Sequence, residues 1–265
     1  MNVIPGIDGQ VAQSRPTGWS AAGFSLLSCV VFCFGFAAVR FLAGSQSSIL
    51  AYSIFNVLLP TAVGAVLASF VLYRLDWRKA LLENLRLQRH WLPLCSVVSF
   101  AVSMAAYVAD GNWDRLGVGN IVVGLLCAVL IAAALQILFN GYLVVGLRQV
   151  LPEPLVWFLS TCAFSAPFAL AVLVKNSAST NLGWSVGTFA IFFFIGSNLY
   201  LMRRLSWNLL APTLLLSLVL FWMLYLSGHQ GTHSDFSLVG GIALLAMVVF
   251  TPCTLAAIFL PRSSR

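Results

Sequence analysis

Few residues in this chain could carry out chemistry, and the sequence keeps them out of its long apolar runs. There are seven acidic residues and three histidines. They lie in predicted loops, tails or run ends: Asp8, Asp76, Glu83, Asp110, Asp114, Glu153, Asp235, His90, His229 and His233. Metal binding, activation of water and proton relay each need a carboxylate or an imidazole. The sequence therefore predicts no such site, and no cofactor, within the apolar runs.

Uncharged polar residues do enter the apolar runs, and two pairs of them have helical spacing. Gln136 and Asn140 are four residues apart, as are Thr213 and Ser217. Side chains at this spacing share one face of a helix. We expect these two pairs to face each other and to form hydrogen bonds across a helix interface.

Two further groups of residues have ordinary structural interpretations. Cys29 and Cys33 lie one helical turn apart with no other Cys or His nearby, so we expect core packing rather than a metal site. The hydroxyl groups of Ser160, Thr161 and Ser165 are expected to donate back to carbonyl groups of their own helix. A nucleophilic serine would need a base beside it, and the sequence offers none there.

The elements that must position these residues are membrane-spanning helices. Of the 265 residues, 60% are hydrophobic and only 8% are charged, which leaves too few polar groups to cover a water-soluble core. A spanning helix needs about 20 apolar residues. The chain is therefore predicted to be an all-α polytopic membrane protein with about eight spans, near residues 19–43, 49–73, 91–108, 117–147, 155–175, 181–202, 207–228 and 236–260.

Basic residues predict the orientation of these spans. Most of the fourteen Lys and Arg residues fall on one side, which the positive-inside rule makes the cytoplasmic side. We expect a polar cytoplasmic tail (1–18), one transmembrane domain (19–260) and a cytoplasmic tail (261–265) in a bacterial inner membrane. Within the domain, residues 74–90 are predicted to form an amphipathic helix on the cytoplasmic leaflet. The basic residues form no continuous face, so the net charge of +7 does not indicate nucleic acid.

The order of motifs in the second half of the chain resembles a known family. The relevant segments are LQILFNGYLVVGLRQVLP (135–152), FSAPF (164–168), FAIFFFIGSNLYLMRRLSW (189–207) and LLAPTLLLS (209–217). They are similar to the core of the CPBP family, the CAAX-protease and bacteriocin-processing enzymes. That family reads EExxxRG, then FxxxH, then a glycine-containing span with a basic turn, and then HxxxN. The resemblance covers about residues 125–220, in spans four to seven.

The resemblance keeps scaffold residues of the family and lacks its catalytic ones. Gly141 and Phe164 match the family pattern. The family's glutamates, arginine, histidines and asparagine fall, in chain order, on Leu135, Gln136, Asn140, Phe168, Thr213 and Ser217. The resemblance implies a glutamate that activates water, together with histidines and an asparagine that orient it. None of the six residues at these positions in this chain can take the role of the glutamate or of a histidine.

Three functions remain open from the sequence. The resemblance implies a pseudoprotease that acts as a scaffold or regulatory subunit for another integral membrane protein. The first alternative is an active CAAX-type protease with atypical catalytic residues, such as Glu153 with His90 on the cytoplasmic face. The second is a small-solute transporter, a channel or a membrane immunity protein. A polar cavity that is open to one side and lined by Gln136, Asn140, Asn198 and Thr213 would favour transport, and a filled interior would disfavour it.

Overall fold

Every secondary-structure element in the described part of the chain is a helix. The computed structural model describes residues 18–42, 55, 58–72, 98, 101–102, 105, 118–175, 181–206 and 209–221. Its elements are α1 (Trp19–Leu42), α2 (Leu59–Leu72), α3 (Val118–Leu135), α4 (Val144–Leu147), α5 (Glu153–Lys175), α6 (Asn181–Ser206) and α7 (Leu210–Phe221). A π-helix, Gln136–Leu143, connects α3 directly to α4. The all-α prediction is confirmed for these residues.

Four of these helical stretches are long and apolar enough to cross a bilayer. They are Trp19–Val39, Ile121–Leu147, Glu153–Leu170 and Ser185–Arg204, with mean hydropathies of 2.2, 2.8, 1.2 and 1.5. Each approaches or exceeds the roughly 20 residues that cross the hydrocarbon layer. They coincide with predicted spans one, four, five and six. The chain is therefore a membrane protein, as the composition predicts.

Other predicted segments are described in part or lie outside the described residues. Shorter apolar helices occupy part of predicted spans two and seven. Only residues 98, 101–102 and 105 of span three are described. The last span, the amphipathic segment 74–90, and both tails apart from Gly18 lie outside the described residues.

Helix α1 and the π-helix occupy the centre of the packing. Helix α1 lies against α2, α4, α5 and the π-helix, α3 lies against α7, and α6 contacts both α5 and α7. The ring of Phe139, on the π-helix, meets Phe32 of α1 edge-on at 5.5 Å between centroids and Phe164 of α5 at 6.1 Å. These edge-to-face contacts are a favoured aromatic geometry. They join three spans into one apolar core.

Small residues let the helices approach closely. A Cβ atom added to Gly64 of α2 would lie 2.9 Å from the backbone oxygen of Phe32, and Gly35 of α1 faces the Gly64 backbone. A Cβ atom added to Gly146 of α4 would clash with the hydroxyl oxygen of Ser25 and would lie 2.9 Å from the backbone oxygen of Ala21. Close backbone contact through small residues is a principal way in which helices associate within lipid.

The outer surface of the bundle is apolar and the interior holds polar groups. Phe34 and Phe70 are 73% and 74% exposed, whereas Gln136, Ser165 and Ser197 are fully buried. Large exposed aromatics on several helices would be a liability in water. This distribution is the one expected where lipid surrounds the helices.

Two helix ends differ from the sequence prediction. Glu153, predicted to lie in a loop, is the first residue of α5, and Arg203 and Arg204, predicted to follow span six, lie buried in the last turn of α6. A carboxylate in the first turn and cations in the last turn interact favourably with the helix dipole. The helices therefore continue past the apolar runs that define the spans.

Candidate functional site

The π-helix contains two of the six positions aligned with the family's catalytic residues, and Leu135 immediately precedes it. Leu135, Gln136 and Asn140 are all buried. The side-chain amide of Asn140 donates to Oε1 of Gln136 at 2.7 Å, so the predicted shared face is confirmed. Nε2 of Gln136 is buried without a hydrogen-bond partner. Neither amide can act as an acid or a base at neutral pH, so this pair can only bind or orient another polar group.

Aromatic packing fills the position of the family's first histidine. Phe168 stacks on Phe192 of α6, with ring centroids 3.6 Å apart and planes 2° from parallel. Phe164 contacts both rings and also Phe139. The ring of Phe168 can neither bind a metal nor donate a hydrogen bond to an anion. It contributes apolar packing between α5 and α6.

The remaining two aligned positions, on α7, form hydrogen bonds to their own helix. Thr213 donates to the carbonyl of Leu209 at 2.5 Å, and Ser217 donates to the carbonyl of Leu214 at 2.7 Å. The predicted bonding across a helix interface is therefore wrong for these four described residues. Hydroxyl groups within helices readily donate to the carbonyl three or four residues earlier, and the Gln136–Asn140 bond joins that pair internally.

Other predictions about polar and sulfur-containing residues have mixed outcomes. Ser160 and Ser165 donate to the carbonyls of Trp157 and Thr161, as predicted. The hydroxyl oxygen of Thr161 is buried and has no such bond. Cys29 is buried and Cys33 packs partly buried against the same core.

No group of three or more potential metal ligands is gathered among the residues that the structure describes. His90 and the two histidines near residue 230 lie outside them.

The structure gathers charged groups at one end of the bundle instead. We define the Glu153 cluster as Arg148, Glu153, Tyr200 and Arg204. Arg148 donates from Nε to Oε2 of Glu153 at 3.1 Å and from Nη2 to Oε1 at 2.7 Å. The hydroxyl of Tyr200 donates a short hydrogen bond to the same Oε1. Nη1 of Arg204 lies 3.7 Å from that oxygen.

Local sequence explains why four helix ends meet at this cluster. Arg148 follows α4, and a short turn stabilised by backbone bonds from Gln149 and Val150 leads through Pro152 to Glu153 at the start of α5. Tyr200 and Arg204 are four residues apart near the end of α6 and so share a face. The side chain of Gln149 also accepts from the backbone N–H of Gly18, just before α1.

The Glu153 cluster pairs one carboxylate with guanidinium and hydroxyl groups. Glu153 is the only carboxylate side chain among the described residues. A two-pronged arginine–carboxylate pair is among the strongest charged hydrogen-bond arrangements. Both oxygens of Glu153 accept hydrogen bonds, and its side chain is only 11% exposed. One turn further into the bundle, Nε1 of Trp157 donates to Ser197 at 3.2 Å and continues the polar contact between α5 and α6.

The sequence does not predict that these four residues meet. It predicts Glu153 in a loop, as a candidate partner of His90, and Arg204 only as a basic residue that follows span six. Two sequence signals point to the cluster: Arg148 and Glu153 lie on either side of a proline turn, and Tyr200 lies four residues before Arg204.

No family model, curated protein or solved structure matches this chain.

Proposed function

We propose that this chain is a non-catalytic integral membrane protein with a CPBP-like core, and that it serves as a scaffold or regulatory subunit for another integral membrane protein. The proposal includes eight spans, a bacterial inner-membrane location and cytoplasmic termini. The observation that supports it most is how the side chains at the six aligned positions are used: Leu135, Gln136, Asn140, Phe168, Thr213 and Ser217. Their side chains are used in apolar packing or in hydrogen bonds within a helix.

Packing around the aligned positions argues against a catalytic centre there. Hydrolysis needs a water molecule held between a base and a group that stabilises negative charge. Phe168 is covered by Phe192, and Leu135 is only 2% exposed. Gln136 is fully buried and already accepts from Asn140. Side chains packed in this way leave the protein its shape and its outer surface, which are sufficient for binding a partner.

The grouping of helix ends supports the proposed topology. The start of α1, the end of α4, the start of α5 and the end of α6 meet around the Glu153 cluster, where Gly18 bonds to Gln149. Arg203 and Arg204 lie at this end as well. A concentration of arginine at one end of the spans is the pattern of a cytoplasmic side.

The decisive experiment is purification of the tagged chain from its host in native nanodiscs, with co-purifying proteins identified by mass spectrometry. We expect one integral membrane protein in stoichiometric amount. The Gln136→Ala variant should recover the same partner in the same ratio, because the proposal gives Gln136 no catalytic task. A monodisperse, functional protein without a partner would overturn the proposal, and so would loss of the biological function in Gln136→Ala with the fold intact.

Photo-crosslinking locates the partner on the bundle. Phe34, Phe70 and Phe158 are exposed aromatics on α1, α2 and α5, so a photoreactive phenylalanine analogue fits each position with little disturbance. Each position serves as the control for the others, because a partner docked on one side protects only that side from lipid. We expect a protein adduct from a subset and lipid adducts from the rest.

A further inference from the structure

Arg204 has an unusual environment for a guanidinium group. It is only 5% exposed and lies in the last turn of α6, at the end of the candidate span Ser185–Arg204. Its Nε and Nη1 atoms are buried and have no hydrogen-bond partner among the described residues. Burial of a charged group without hydrogen bonds is costly, and such groups normally acquire a partner.

The carboxylate nearest to Arg204 does not fill this need. Oε1 of Glu153 lies 3.7 Å from Nη1, beyond hydrogen-bonding distance, and it already accepts from Arg148 and Tyr200. Oε2 accepts from Nε of Arg148. One carboxylate therefore faces two guanidinium groups, and hydrogen bonds have been formed with only one of them. A second anion would complete the arrangement.

The position of Arg204 indicates which anion is nearby. The candidate spans Ile121–Leu147 and Ser185–Arg204 end at the level of the Glu153 cluster. The ends of spanning helices lie at the depth of the lipid headgroups, where phosphate groups are abundant. Guanidinium groups bind phosphate through their N–H donors, and the Nε–H and Nη1–H groups of Arg204 are two donors that lack an acceptor among the described residues.

We propose that Arg204 binds the phosphate of an anionic phospholipid headgroup at this end of the bundle. Inorganic phosphate shares this chemistry. Because the guanidinium is buried, the bound phosphate is held at a defined site, and salt screens it less than it screens charges on an exposed basic surface. This inference does not depend on the scaffold function.

The test is native mass spectrometry of the full chain released from nanodiscs of phosphatidylcholine mixed with phosphatidylglycerol. The wild-type protein should retain one phosphatidylglycerol in preference to phosphatidylcholine, including at about 1 M salt, where the Debye length is about 3 Å. Arg204→Gln should weaken this retention about 10- to 100-fold, as expected for hydrogen bonds between charged groups. Arg204→Lys should give an intermediate value. Arg262→Gln removes the same charge from the predicted tail and should leave retention unchanged.

Each outcome decides the proposal. Titration of detergent-solubilised protein with inorganic phosphate, followed by thermal unfolding, distinguishes the source of the anion. Stabilisation that depends on Arg204, without selective lipid retention, assigns the site to free phosphate. Equal retention of both lipids by the wild type, or unchanged phosphatidylglycerol retention in Arg204→Gln, overturns the proposal. If Arg204→Gln does not fold, the wild-type preference at high salt and the Arg204→Lys value decide instead.

Discussion

Neutralising Glu153 should weaken the fold substantially, because its carboxylate joins the ends of three helical stretches. In Glu153→Gln one of the two acceptor oxygens becomes an NH2 group that faces the N–H donors of Arg148. Arg148 and Arg204 then share a neutral amide in a site whose side chains are 6–15% exposed. Removing one partner of a buried ion pair costs about 3–5 kcal/mol. Because one amide oxygen still accepts, we expect a loss near the lower end, about 3 kcal/mol.

The assay is reversible unfolding in mixed micelles of increasing sodium dodecyl sulfate content, followed by tryptophan fluorescence. The chain contains eight tryptophans, and one of them, Trp157, lies one turn from Glu153. Glu83→Gln is the matched control, since it makes the same isosteric change in the predicted amphipathic segment. We expect the control to alter the free energy of unfolding by less than about 0.5 kcal/mol.

A double-mutant cycle with Arg148→Met isolates the ion pair itself. Because Glu153 and Arg148 form two direct hydrogen bonds, the interaction free energy should be at least about 1 kcal/mol. The reasoning is refuted if Glu153→Gln costs no more than its Glu83 control and the cycle shows no coupling. That result would mean that water screens the cluster as it screens an exposed surface pair.

Two further predictions concern helix packing and the aligned polar pair. Gly64→Ala should lower the free energy of unfolding by about 1–3 kcal/mol, because the added Cβ atom forces α2 away from the backbone of Phe32. Gly119→Ala is the control and should be tolerated, because a Cβ atom there meets nothing within 4 Å. Equal effects of the two substitutions in the same unfolding assay would contradict this prediction. Gln136→Ala should cost about 1–3 kcal/mol by leaving the buried amide of Asn140 without its acceptor, while partner recovery from native nanodiscs stays unchanged.

Hydropathy and helical spacing were sufficient to predict the helical elements. The first, fourth, fifth and sixth predicted spans match described helices closely, because a long apolar run in lipid must satisfy its backbone within a helix. Hydropathy does not define where a helix ends. Glu153 and Arg204 are polar enough to end an apolar run, yet hydrogen bonds and the helix dipole keep them within α5 and α6.

The arrangement of the candidate site was harder to predict than the helices. The shared face of Gln136 and Asn140 followed from their spacing, but the π-helix that contains them had no signal in the sequence. Contacts between helices also depend on how each helix is rotated about its axis. The stacking of Phe168 on Phe192, and the meeting of Arg148 with Tyr200, join residues far apart in sequence, so no local pattern indicates them.

In the described part of the chain, aromatic and charged side chains lie at different depths along the helices. Aromatic rings and hydrogen bonds within single helices fill the middle of the bundle, where Phe139 contacts two neighbouring spans. Among the described residues, the hydrogen bonds of Arg148 with Glu153 lie at one end of the bundle. Among the described residues at this depth, the Gln136–Asn140 pair is too weakly basic to activate a water molecule. The proposed scaffold function assigns partner binding to the helix ends and the exposed helix faces. Functional variants of the chain should therefore concentrate at the helix ends and on the exposed helix faces rather than at the six aligned positions.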